Sequence, residues 1–229
     1  VESYPCNLGL MMREAGYATA IAGKWQINDF RVEPDCLNDA GFDDWCMWTG
    51  GEGGNPPSDE RYWNPYIFTK EKSSQTYPGA FGPDMFCDFV IDFARKQNDD
   101  GKPFFIYYPM VLTHTPFTTT PHAPDAKTKV DKHKAMVRYS DFLLGRITAA
   151  LDKMGIRENT LVIFTSDNGT CGKMVGHIGE RTIPGGKAKT IEPGVNIPFI
   201  ANWPGTIPPG RVSEALIDFT DIIPTCADL

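Results

Sequence analysis

The sequence predicts an α/β protein, with a mostly parallel central sheet flanked by helices on both faces. Three observations carry that prediction. Apolar runs with little polar alternation (Tyr17–Ala22, Pro103–Met110 and Leu161–Thr165) read as strands buried on both sides. Amphipathic helical segments stand between them, at the spacing of strand-helix-strand units. Polar residues gather where each run stops, at the strand ends where such sheets place their ligands. A length of 229 residues suits one sizeable core and a single domain spanning residues 1–229.

Taken in order, Asn7 to Ala15 carries Leu8, Met11 and Met12 at helical spacing and is closed by Gly16. Tyr17–Ala22 follows as a small-residue strand, with Gly23-Lys24-Trp25-Gln26 at its carboxyl end. From Asp29 to about Pro83 the chain is rich in Gly, Pro, Asp and Trp and reads as a long irregular excursion, functional or ordered by its own packing. Its aromatic residues Trp45, Trp48, Tyr62, Trp63 and Tyr66 either pack the excursion onto the core or line a pocket rim. Asp84 to Lys96 places Phe86, Phe89, Val90 and Phe93 on one helical face. Pro103–Met110 reads as the next strand, and His114 sits just beyond it. Lys132 to Met154 is a long helix with Met136, Tyr139, Leu143 and Ile147 on its buried stripe. It leads to Leu161–Thr170, a strand that breaks off in an Asp-Asn-Gly turn. A glycine-rich loop around Lys187, a strand at Ile197–Trp203, another at Val212–Phe219 and the start of a helix in the last residues complete the chain.

Composition narrows the function. A formal net charge of -7 and the absence of any basic run argue against non-specific nucleic-acid binding. No apolar stretch is long enough for a transmembrane segment, and the opening residues are neither a signal nor a transit peptide. The six cysteines are scattered without metal-ligand spacing, so buried free thiols are expected for most of them, disulfides remaining open. The Gly-Lys pair at Gly186-Lys187 lacks the spacing of a nucleotide phosphate loop.

Lys24, His114, Asp167, Asn168 and Lys187 all fall on loops after or near strands. Each has a bland alternative: a solvated lysine, a structural histidine, an ordinary Asp-Asn-Gly turn. Together they describe a site for an anionic ester. The lysines neutralise an oxyanion, and the carboxylate and amide oxygens of Asp167 and Asn168 suit a hard divalent cation. The histidine serves a departing oxygen.

Those residues also carry a resemblance. Gly16-Tyr17-Ala18-Thr19, ending in Gly23-Lys24-Trp25, resembles a signature of the sulfatases, members of the alkaline-phosphatase superfamily. Thr113-His114-Thr115-Pro116-Phe117 is similar to the family's His-Thr-Pro segment, and Thr160–Gly169 to its metal-binding strand. The stretch from Gly185 to Gly205 resembles its Gly-Lys segment running on to Trp-Pro-Gly, and the last residues its Asp-x-x-Pro-Thr helix. The matches follow the family's order along nearly the whole chain.

The resemblance implies a calcium-dependent sulfuric ester hydrolase with an alkaline-phosphatase-like fold, acting on a sulfated small molecule or glycan and secreted or periplasmic. Asp167 and Asn168 would be metal ligands, Lys24 and Lys187 would hold the sulfate, and His114 would stand by the leaving-group oxygen. Two departures qualify it. No Cys/Ser-x-Pro-x-Arg, the precursor of the family's formylglycine nucleophile, occurs, Cys6 being followed by Asn-Leu-Gly-Leu. The formylglycine is therefore expected outside this chain, upstream, and the family's C-terminal subdomain is also expected to be missing. Gln26 stands where the family usually has histidine, and an amide cannot act as a base. His177 is a candidate substitute, with a surface histidine as the default.

The alternatives are a phosphodiesterase or phosphonate monoester hydrolase of the same superfamily, and a catalytically inactive binding protein. The four histidines (His114, His122, His133, His177) are too dispersed for a well-ligated two-metal site, which favours sulfate. The 229 residues alone are expected not to hydrolyse sulfate esters; turnover of an aryl sulfate by the purified chain would overturn that.

Overall fold

The computed structural model describes residues 7–229, so Cys6 lies outside the described residues. Helix α1 (Leu8–Glu14) is capped by the Asn7 side chain, which accepts from the Leu10 N–H, satisfying one of the orphan donors of the first turn. Strand β1 (Ala18–Lys24) follows, buried along its interior. A short helix α2 (Cys36–Asp39) leads to β2 (Asp44–Trp48), and a hairpin of β3 (Tyr66–Thr69) and β4 (Lys72–Thr76) precedes the long helix α3 (Gly82–Asp99). Strand β5 (Phe104–Tyr107) and helix α4 (Lys129–Met154) come next.

The main sheet has five strands in the order β4-β3-β2-β1-β5. Its centre is parallel, β1 pairing with β2 and with β5, whereas β2-β3 and β3-β4 are antiparallel. The sheet is therefore mixed, a parallel core extended by an antiparallel meander. Three of its strands come from residues 29–83, the stretch expected to be an irregular excursion. The pattern of two hides in Asp44–Trp48 because both faces are covered. Cys46 and Trp48 point into the layer against α3 and α4, while Trp45 and Met47 point into a second layer with Phe30, Leu37 and Phe42. A strand buried on both sides shows no polar alternation to announce it.

The first layer gathers Ala22, Ile67, Phe86, Val90, Met136, Tyr139 and Leu143 between sheet and helices. Burial in that layer follows the helical stripes expected for α3 and α4. Thr128 caps α4 in a reciprocal capping box with Asp131, and Gly155 ends it in the left-handed conformation. The described cysteines Cys36, Cys46, Cys87, Cys171 and Cys226 are free; burial pushes the Cys46 thiol up to about 12 and the Cys87 thiol to about 11.

Glu52 organises the excursion. Its side chain is fully buried, accepting from the Tyr66 hydroxyl at 2.9 Å and from Ser74, and pairing with Arg31 Nε at 3.0 Å. The Glu52 N–H donates to Ser58 Oγ at 2.8 Å, so one carboxylate and its backbone tie β3, β4 and the 28–33 loop together.

Beyond α4, β6 (Val162–Thr165) does not join the main sheet; after a hairpin of β7 (Val175–Ile178) and β8 (Arg181–Pro184) and a turn of helix α5 (Glu192–Val195), β9 (Phe199–Asn202) pairs with β6 antiparallel. The strand expected to be fully buried is accordingly half-buried. Val212–Phe219, expected as a strand, makes no ladder among the described residues. Two of its apolar side chains stand open, Val212 at 94% and Leu216 at 101% exposed. Helix α6 (Ile222–Asp228) follows. No helix among the described residues is long and apolar enough to cross a membrane.

Replacing Glu52 by Ala removes the acceptor of the buried Tyr66 hydroxyl and of Ser74, while Arg31 keeps Asp29 and the Gly53 carbonyl. A loss of roughly 2 kcal/mol in unfolding free energy is expected, from the usual cost of orphaning buried partners, and chemical denaturation measures it.

Candidate active site

The candidate residues come from five separate segments, and the chain brings most of them to one rim. Lys24 ends β1, with its N–H donating to the Pro109 carbonyl at 2.8 Å, so the exits of β1 and β5 are stitched together. That approach requires Gly23: its φ is +116°, and a Cβ there would stand 2.2 Å from the Pro109 oxygen. Lys187 also follows a glycine without room for a side chain, since a Cβ on Gly186 would meet the Gly194 nitrogen at 2.4 Å. The Lys187 N–H donates to the Thr170 carbonyl at 3.0 Å, which pins the lysine beside the Asp167-Asn168 turn.

Charge couples several of these groups. The Lys24 ammonium is held below its ordinary value by burial first, then by the positive charges of Arg61 and Lys187, against the opposing pull of Asp167. Burial also lowers His114; the Thr115 carbonyl beside it works upward, and Lys187, Lys24 and Arg61 press it down further. Tyr107, at the end of β5, is raised by burial and by the charge of Asp167. Lys24 and His114 thus each feel the charge of Lys187, and Lys24 and Tyr107 that of Asp167, near the carboxyl ends of β1 and β5.

Asp167 and Asn168 bring oxygen donors to this rim. The Asn168 carbonyl accepts from Ser166 Oγ at 2.9 Å, closing the turn. Both residues line a cavity of about 400 Å³ with Lys189, Thr190, Asp218 and Phe219, a cavity that Lys24, His114 and Lys187 do not line. Among the described residues no group of three or more His, Cys, Asp or Glu is gathered for a metal. A larger groove of about 710 Å³, between α3 and α4, holds none of the site residues.

Gln26 is exposed, and its amide donates to the Gly50 carbonyl at 3.3 Å. His177 lies on the β7-β8 hairpin, whose strand residues are largely exposed, with Nδ1 3.4 Å from the Thr182 hydroxyl. The hairpin is clamped at its base by the Gly185 N–H on the Met174 carbonyl at 2.8 Å. Of the aromatic residues considered for a pocket rim, Trp48, Trp45, Tyr62 and Tyr66 are buried in the fold. Trp63 packs on Phe81, with ring centroids 4.7 Å apart, and donates to Thr119.

Sequence reasoning missed Arg61. It is 9% exposed, and its guanidinium lies 4.5 Å from the Trp48 ring centroid and 5.0 Å from that of Tyr62. Nothing in Arg-Tyr-Trp-Asn-Pro marks a buried cation. Only the aromatic neighbours, which hold it by cation–π attraction, were visible.

The fold and this cluster of cations, imidazole and carboxylate define an α/β protein equipped to hold an anionic group at the sheet's carboxyl edge. The sulfatase family model matches residues 2–229, and the chain belongs to the sulfatase family. It is 31% identical to the N-acetylgalactosamine-6-sulfatase of Canis lupus familiaris over 231 residues, 96% of this chain and 44% of that protein. It is also 31% identical to an arylsulfatase of Hemicentrotus pulcherrimus, over 95% of this chain and 41% of the relative. The crystal structure of the PsFucS1 sulfatase from Pseudoalteromonas sp. superposes with a TM-score of 0.71 at 26% identity, covering 96% of this chain and 49% of that one. The chain thus spans less than half the length of the curated relatives it matches.

A pH dependence of stability follows from the imidazoles. Burial lowers His133 as it does His114, so each is harder to protonate folded than unfolded. As pH falls through about 6.5 the unfolded chain takes up these protons first, and stability declines until the folded imidazoles titrate in turn. Thermal melts between pH 7.5 and 5 should show that decline, and a His114→Gln/His133→Gln double variant should flatten it.

Proposed function

We propose that this chain forms the sulfate-binding part of a sulfuric ester hydrolase that cleaves sulfate monoesters of sugars or aryl alcohols. One observation carries the reading: Lys24 and His114, distant in sequence, both feel the charge of Lys187, His114 that of Lys24, and Lys24 that of Asp167 as well. Two ammonium groups in a partly desolvated site neutralise the non-bridging oxygens of a bound sulfate. They also stabilise the charge that builds as the ester bond breaks. His114, partly buried and held below its usual value, offers an N–H to the bridging oxygen that leaves with the alcohol. The sugar-sulfate assignment draws on N-acetylgalactosamine-6-sulfatases among the relatives.

The family implies calcium. Asp167 and Asn168 fit such an ion in kind, with hard oxygen donors on a tight turn that faces a cavity. Two ligands fill only part of the roughly six to eight oxygens calcium takes, so other groups complete the shell. The ion, when bound, polarises a sulfate oxygen as a Lewis acid. The proposal places the formylglycine nucleophile outside these residues.

The test compares hydrolysis of a matched aryl sulfate and aryl phosphate by the full-length protein, with calcium and with chelator. Preference for sulfate and loss of activity on chelation are expected, with Lys24→Ala and Lys187→Ala each lowering kcat/KM by about 10²-fold or more. Preference for the phosphate would turn the reading to phosphoryl transfer, and full activity in both lysine variants would end it.

A further inference from the structure

The turn that carries His114 is tied at both ends by one side chain. Its own closure is long, the His114 N–H donating back to the Val111 carbonyl at 3.3 Å. The Tyr62 hydroxyl lies 2.9 Å from that carbonyl and 2.6 Å from the carbonyl of His114 itself. A carbonyl only accepts, so the hydroxyl is the donor on both lines and shares its proton between the first and last residues of the turn. No other donor among the described residues reaches the His114 carbonyl.

Tyr62 is itself held in place. It is 5% exposed, and its ring belongs to the core layer of Phe81, Phe86 and Val111. Its carbonyl accepts from the Gly82 N–H at 2.7 Å, which fastens it to the first turn of α3, and the next residue, Trp63, bonds the same loop further on at Thr119. Burial raises the phenol, against the opposing effect of Arg61, so the donor keeps its proton at neutral pH. The imidazole in turn is bound to the main chain that Tyr62 holds: Nδ1 lies 2.7 Å from the Thr115 carbonyl, closer than the 3.1 Å to Arg61 Nη2. What fixes the backbone there fixes the ring.

We propose that Tyr62 is a positioning residue for His114: its hydroxyl locks the 111–114 turn, and the turn sets where the imidazole stands. The consequence rests on the sulfatase reading, in which that ring serves the oxygen leaving with the alcohol. A strongly acidic phenol leaves almost unaided, whereas a weakly acidic one depends on the imidazole. Loosening the turn therefore costs little for the first ester and much for the second. Lys24 and Lys187 keep their anchors at Gly23 and Gly186, so the hold on the sulfate itself is unchanged.

The test is a series of aryl sulfates whose phenols span a range of acidity, hydrolysed by the full-length protein and by its Tyr62→Phe variant. The substitution removes one oxygen and keeps the ring beside the Arg61 guanidinium, 5.0 Å away. The variant's kcat/KM should fall by about tenfold or more for the ester of the least acidic phenol, the scale of a small misplacement at a reacting centre, and the loss should shrink as the phenol becomes more acidic. In a His114→Ala background the same change should add no further loss. An equal loss across the series, no loss at all, or an undiminished loss in the His114→Ala background overturns the proposal and leaves the sulfatase reading standing. A wild-type protein inert to every ester of the series ends that reading, and the role of Tyr62 with it. A crystal structure of the full-length wild type is a second check that needs no variant to fold: a Tyr62 hydroxyl beyond hydrogen-bond reach of the His114 carbonyl overturns the proposal as well.

Discussion

Repulsion of Lys24 by Arg61 and by Lys187 is the constraint around which the rim is built. Two like charges 4 Å apart repel by roughly 4 kcal/mol at the effective dielectric of a protein surface. A fold gathers such groups only if their backbones are held by other means. Here the means are main-chain: β1 is locked to the 109–110 segment through Gly23, and the Lys187 loop is locked to the Asp167-Asn168 turn through Gly186. Arg61 is held by the faces of Trp48 and Tyr62. The single carboxylate of Asp167 offsets part of the charge at Lys24, and under the proposed reading the surplus is what a singly charged sulfate monoester relieves on binding.

The two core layers explain why this rim is rigid. Strands β1 and β2 alternate their side chains between a layer against α3 and α4 and a layer against the loops around Phe30 and Leu37. Strand β1 is therefore fixed on both faces, and Lys24 at its end inherits that fixity. The region after α4 is built differently. Strands β6 and β9 form a small ladder of their own, so Asp167, Asn168 and Lys187 reach the rim from a separate unit of hydrogen bonding.

Much of this was legible in the residues themselves. Strands β1 and β5 and helices α3 and α4 announce themselves by period and by the caps at their ends, and Lys24, His114, Asp167 and Lys187 by their position after strands. Other things were not. Strands β2, β3 and β4 fall in a stretch rich in Gly, Pro and Trp, and at β2 burial on both faces removes the alternation that would have marked it. Val212–Phe219 carries apolar residues at strand spacing, but without a partner strand a period of two is only an extended chain. Arg61 was invisible because burial of a lone cation depends on what packs over it, and Trp48 lies far enough upstream that no local pattern links them.

The hairpin of β7 and β8 carries a different lesson. It leaves and rejoins the chain between Asn168 and Lys187, and its neck is closed by hydrogen bonds from Gly185 to Met174 and from Lys187 to Thr170. Val175 to Pro184 therefore lie outside that closed ring, tied to α5 by the exposed Arg181–Glu192 pair at 2.6 Å, and changes elsewhere in the hairpin leave the span between the turn and the lysine as it is. Such an arrangement separates the part of the surface free to diversify from the part that must stay put, and makes the hairpin a natural place to graft new recognition onto an unchanged scaffold.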